Sequence, residues 1–197
     1  MDLFKQANTY KYETYKEIVF RLADEGKNSG TIDEERIAAT LINKQRIKRI
    51  DKQCVLQDEL AQLIAAIKTK LTWFVLTESW CGDGAQCIPV LAKMAAVNPN
   101  IEMHLLFRDE HPAIMDAYLT NGSRSIPKLI ILDQASGKEL QQWGPRPKVI
   151  QEMVSAYKIA FPNATHDEFV QQLHLWYARD KTNAIQNEFK ELLKGIN

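Results

Sequence analysis

From Leu71 onward the hydrophobic pattern of the chain changes period, and this constrains the fold more than any other feature. LTWFVLT (71–77) is a short, nearly continuous apolar run, as a strand buried on both faces requires. A helical segment follows from about Ala85 to Val97, closed by NPN, and IEMHLLF (101–107) reads as a second buried strand. HPAIMDAYLTNG is expected to be a helix, with Asn121 and Gly122 as its C-cap. Strand, helix, strand, helix is a βαβ arrangement, and its crossover makes the strands parallel. The style then changes: IPKLIILD, a turn at QASGK and ELQQWG predict an antiparallel hairpin, and PKVIQEMVSAYKIA predicts a helix to cover it.

Helices flank this middle section. Tyr15, Ile18, Val19 and Leu22 recur at helical spacing, with Gly26 as a stop. Thr31 is a candidate N-cap for a helix from Asp33 to Arg49, and a third helix fits Leu56 to Lys68. After FPNAT, one long helix is expected from about His166 to Leu193, with Phe169, Leu173, Trp176 and Tyr177 on one face. The expected division is a helical extension (1–67), an α/β domain (68–161) and a C-terminal helix packing on the body (162–197).

The chain of 197 residues is long enough to bury a core without disulfide or metal staples. Its 25 basic and 25 acidic residues cancel, which gives no pull toward nucleic acid or an anionic membrane. The basic run INKQRIKRIDK (42–52) reads as a solvated helix face, since it lacks the excess charge and interleaved aromatics of a nucleic-acid patch. No run approaches the roughly 18 apolar residues of a membrane span. The three cysteines, Cys54, Cys81 and Cys87, are too few and too odd in number for a secreted disulfide framework. With an N-terminus lacking an apolar cleavage signal, this predicts a cytoplasmic protein.

TESWCGDGAQC (77–87) carries the chemistry. The middle of the chain resembles the thioredoxin family: a buried strand ends at Trp80-Cys81-Gly82, and Pro89 lies in the following helix where the family kinks it. NGSRSIPKLIILD matches the family's segment of Arg, then Ile-Pro, then a strand, and Gly144 follows the last strand. The chain is also similar to a bacterial branch of the family carrying ESWCGD, a following Gln and flanking helices. The resemblance implies a thioredoxin-like α/β fold with a central mixed sheet and helices added at both ends. It implies that Pro127 is cis and faces Cys81, and that Trp80, Gly82, Asp83, Arg124, Ile126 and Pro127 bind substrate around a catalytic Cys81, with Trp80, Ile126 and Arg124 as the rim and Pro127 holding the substrate strand. No cofactor is implied. Two departures stand out. Gly84 occupies the place of the second, resolving cysteine, and Val75 that of a buried aspartate that assists proton transfer.

Unpaired N–H groups at a helix start favour a thiolate at Cys81, whereas Glu78 and Asp83 oppose it. The expectation is a reactive, partly exposed thiol, with Asp83 as a helix cap or, less simply, a proton carrier. Cys87 cannot replace the missing partner in the ground state, and unwinding the first turn to bring the two together costs helix and core. Six residues along a helix, it is displaced by roughly 9 Å and turned by about 240°, whereas a disulfide wants Cα atoms within roughly 7 Å. Cys87 therefore reads as a small buried hydrophobe, and Cys54 as structural. Glu78, Cys81, Asp83 and Cys87 do not have the spacing of a structural zinc site, and no metal is expected. His104 and His111 read as a strand residue and a surface residue. WGPRP (143–147) reads as a turn with Pro147 opening a helix.

Two functions remain open. One is a thiol–disulfide oxidoreductase working through Cys81 alone, forming a mixed disulfide that a partner protein's thiol or a low-molecular-weight thiol resolves. The other is a redox-inactive thioredoxin-fold binding module or adaptor, whose groove by Trp80 and Pro127 takes an extended peptide. Its added helices would recruit partners or form a homodimer face.

Overall fold

The computed structural model describes residues 2–196. Three helices lead: α1 (Tyr12–Asp24), α2 (Glu34–Gln53) and α3 (Asp58–Ala65). Then come β1 (Leu71–Thr77), α4 (Gly82–Ala96), β2 (Ile101–Phe107), α5 (Pro112–Ala117), β3 (Lys128–Asp133), β4 (Glu139–Trp143) and α6 (Lys148–Ala160). The chain closes with α7 (His166–Asp180) and α8 (Asn183–Leu193). The sheet order is β2-β1-β3-β4, with β1 parallel to β2 and antiparallel to β3, and with β3 antiparallel to β4. This mixed sheet with helices on its faces is an α/β thioredoxin-like fold.

Alternation along β1 divides the core. Trp73 and Val75 face one side and join a large cluster that takes in Tyr15, Ile47, Leu60 and Ile64 of the leading helices and Tyr177 and Phe189 of the closing ones. Phe74 and Leu76 face the other side, with Leu106, Ile114, Ile130, Ile126 and Cys81. Apolar residues on both faces are what made β1 read as a continuous run.

Several boundaries differ from the sequence expectation. Asp33, not Thr31, caps α2: its carboxylate accepts the Arg36 N–H. α4 begins at Gly82, three residues early, because Cys81 itself is the cap. α5 stops at Ala117, and Asn121 and Gly122, both at positive φ, form a separate turn. The expected single tail helix is two. Lys181 and Thr182 take left-handed φ of 51° and 69°, and the Asp180 carboxylate accepts the Ala184 N–H, so a new helix starts there. The apolar period persists across this break, which hid it.

Candidate functional site

A short loop joins β1 to α4 and sets the position of Cys81. The Cys81 N–H donates to the Glu78 carbonyl at 3.1 Å, closing a turn. Residues far back in sequence brace it. Ser29 N–H donates to Ser79 Oγ, and Ser79 N–H to Ser29 Oγ, each at 2.8 Å. Thr40 Oγ1 lies 2.9 Å from Ser79 Oγ, and Asn43 Nδ2 donates to the Ser79 carbonyl at 2.9 Å. The leading helices are thus built into the site. Sequence reasoning missed Ser29, Thr40 and Asn43. The available signal was a pair of polar residues, three apart, on the otherwise apolar inner face of α2.

Cys81 is the N-cap of α4. Its Sγ accepts the Gly84 N–H at 3.2 Å, and its thiol donates to the Ile126 carbonyl at 3.3 Å. The Ile126–Pro127 peptide is cis. The thiol is 6% exposed, so the expectation of a partly exposed cysteine is corrected. Burial pushes its pKa up to about 12, and Asp83 pushes the same way. The Gly84 N–H, Arg146 and Arg108 oppose this and lose. Desolvation therefore outweighs the helix start. Of the two acidic neighbours, Asp83 is the one that raises the thiol pKa. Glu78 is buried and turned away, accepting from the Ser29 hydroxyl and, at 2.8 Å, from the Asp109 N–H. Burial raises its own pKa.

Asp83 does not cap the helix, since the first-turn N–H groups meet Cys81 instead. Its carboxylate is paired with Arg146, whose Nε lies at 3.0 Å, and accepts the Tyr177 hydroxyl at 2.6 Å. Arg146 comes from the loop before α6 and Tyr177 from α7, so this one carboxylate ties three elements together. Cys87 Sγ, 3.8 Å from the Tyr177 hydroxyl, is fully buried and its pKa is raised by that burial. All three cysteines are free thiols. Cys54 and Cys87 line a cavity of about 160 Å³ between α2, α4 and the α7–α8 junction.

The two glycines of the motif sit under close neighbours. A Cβ on Gly82 would stand 2.8 Å from His174 Nε2, so α7 lies directly over the helix start. His174 also faces Arg46, Arg49 and Arg146, and burial with these charges lowers its pKa to about 3. A Cβ on Gly84 would stand 2.7 Å from Thr77 Oγ1 and 3.3 Å from Cys81 Sγ. The place of a resolving cysteine is therefore occupied from the strand side. Val75, in the place of the proton-transfer aspartate, is buried between Leu105 and Leu129.

Arg36 lies over the Trp80 ring at 4.5 Å from its centre and Arg108 at 4.9 Å, so two guanidinium groups stack on this indole. Arg124 is exposed and bidentate to Asp116, with both bonds 2.7 Å. Its carbonyl accepts from Arg108 at 3.3 Å. Ile126, Arg108, Arg124 and Arg146 line an open groove of about 700 Å³ that runs to the β4–α6 loop. Trp80, Cys81, Gly82, Asp83, Ile126 and Pro127 thus lie together, and Arg124 stands at the groove's outer wall. Among the described residues, no three His, Cys, Asp or Glu side chains are grouped to hold a metal ion. No described helix is long and apolar enough to cross a membrane.

The sequence profile described as thioredoxin matches residues 30–158, well over half of the chain. The chain belongs to the thioredoxin family. The family match begins at Gly30, so it takes in α2 and α3 as well as the sheet. Among solved structures, a protein of unknown function from Pseudomonas aeruginosa is similar at 17% identity and a TM-score of 0.59, covering 95% of this chain and 99% of its own. An HIV epitope scaffold is similar at 16% identity and a TM-score of 0.58, covering 95% of this chain and 100% of its own. At these identities the likeness is one of fold. It spans the helices at both ends of this thioredoxin-family chain as well as its sheet. No curated protein matches.

Proposed function

We propose that this thioredoxin-family protein is a binding module that holds an extended segment of a partner in the groove beside Ile126 and Pro127, with Cys81 kept as a protonated thiol. The state of Cys81 carries this reading. Cys81 is buried and donates to the Ile126 carbonyl, and burial pushes its pKa up to about 12, so the thiol keeps its proton at pH 7. Gly84 supplies no resolving sulfur and Val75 no carboxylate to move a proton. The free thiols fit a reducing, cytoplasmic setting.

A second reading, monothiol oxidoreductase, is favoured by the Gly84 N–H on Sγ, a contact that stabilises a thiolate if the site opens. The Cys81 thiolate would then attack a disulfide sulfur. An S–S bond forms to Cys81, the other sulfur leaves as a thiolate, and a second thiol cleaves the mixed disulfide. The Cys81→Ser variant separates the two. On the binding reading, it keeps its affinity for an extended peptide, and the wild type reduces a small-molecule disulfide with glutathione no faster than the variant. Reduction by the wild type that is lost in Cys81→Ser would establish the second reading instead.

A further inference from the structure

The groove beside Ile126 has a charge that the whole chain does not. Basic and acidic residues balance at 25 each, yet five cations line this groove: Arg108, Arg124, Arg146, Lys148 and Lys158. Glu188 is the one carboxylate in its wall, and it is engaged by the Lys148 N–H at 3.1 Å. The cations differ in how free they are. Arg146 is committed to Asp83, and Arg108 to Trp80 and Asp109. Arg124 holds Asp116 in a solvent-exposed pair, which another carboxylate can exchange into. The Lys148 and Lys158 ammonium groups have no carboxylate within ion-pair distance among the described residues, and Lys158 lies 5.7 Å from the Phe169 ring centre. The floor is apolar, with Ile126 and Val154, and one side is formed by the end of β4, which is the edge strand beside β3 among the described residues.

We infer that the groove takes an acidic, extended peptide with an apolar residue among its carboxylates. This rests on the binding reading above and names the class of partner. The carboxylates meet Lys148, Lys158 and Arg124, the apolar side chain lies on Ile126 and Val154, and the unpaired edge of β4 suits an extended backbone. Single-stranded nucleic acid fits less well, because it needs open aromatic faces for base stacking. Trp143 is buried, and the ring of Trp80 already carries the guanidinium groups of Arg36 and Arg108.

Fluorescence anisotropy on the unaltered protein, kept reduced and titrated with peptides that contain no cysteine, tests this. The probe is a dye-labelled peptide of alternating glutamate and leucine, set against the same peptide with glutamine for glutamate. The acidic peptide is expected to bind, to weaken as salt is raised, and to bind about tenfold more weakly to a Lys148→Glu/Lys158→Glu variant of unchanged circular dichroism. Equal affinity for the glutamine peptide would overturn the charge assignment and leave the binding reading standing. Binding of neither peptide, or tighter binding of a single-stranded oligonucleotide, would overturn the inference. A fast thiolate at Cys81 would overturn the binding reading, and that shows in alkylation rather than in anisotropy.

Discussion

At Gly84 a methyl group would stand 2.7 Å from Thr77 Oγ1, and Thr77 is fully buried. The residue that replaces a second cysteine is therefore also one that nothing larger replaces without movement of the strand end. Gly84→Ala is expected to cost about 1–3 kcal/mol, and Thr77→Ala in the same chain should recover part of that, read from urea midpoints. Gly84→Cys should behave as a strained core substitution rather than as a restored dithiol. The charge on Asp83 can be tested separately. Asp83→Asn removes a neighbour that raises the Cys81 pKa and leaves Arg146 unpaired beside the sulfur. Its thiol should titrate lower and alkylate faster at pH 8, while the fold loses about 3 kcal/mol from the broken buried pair. An alkylation rate unchanged in Asp83→Asn would show that Asp83 does not act on the sulfur.

At the scale of elements, α7 shields the start of α4. His174 lies over Gly82, and Tyr177 reaches Asp83 and Cys87. Gly82→Ala should push α7 away and speed amide exchange along 166–180, and His174→Ala in the same chain should restore slow exchange. His174 also gives the contact a pH dependence. Its folded pKa of about 3 lies below the ordinary 6.5, so the folded state disfavours the proton. The stability it contributes is complete above pH 6.5 and is lost as pH falls toward 3. Arg46, Arg49 and Arg146 face the ring and sharpen that loss. Urea midpoints of His174→Gln should fall less steeply than those of the wild type between pH 6.5 and 5, above the carboxylate range. Elements of the middle section were legible in sequence because β1, β2 and β3 bury apolar runs and because Trp80-Cys81-Gly82 and Ile126-Pro127 carry specific spacing. The break at Lys181–Thr182 was not, since φ at two polar residues leaves no mark on an apolar repeat. Nor was the ion pair of Asp83 with Arg146, because 63 residues separate the partners. Cys81 is buried by residues distant in sequence, among them Leu106, Ile114 and Ile126, and a helix start read locally carries no sign of them.

For the whole molecule, the added helices and the sheet share one core. Tyr15, Ile47, Leu60 and Phe189 belong to the same apolar cluster as Trp73 and Val75. They also supply the polar atoms that fix the Cys81 loop, through Ser29, Thr40 and Asn43. The protein should therefore unfold in one step, with circular dichroism and Trp fluorescence coinciding, and a chain cut before Leu71 should not fold. This integration makes the environment of Cys81 a property of the complete chain. The balance of burial against the helix start is what the functional account depends on. It is read most directly from the pH dependence of Cys81 alkylation in a full-length Cys54→Ala/Cys87→Ala protein. A buried, protonated Cys81 is modified slowly at neutral pH, at a rate still rising toward pH 12 and with no inflection near the free-cysteine value of about 8.5. A thiolate titrating below that value would contradict this and assign the site to monothiol redox chemistry.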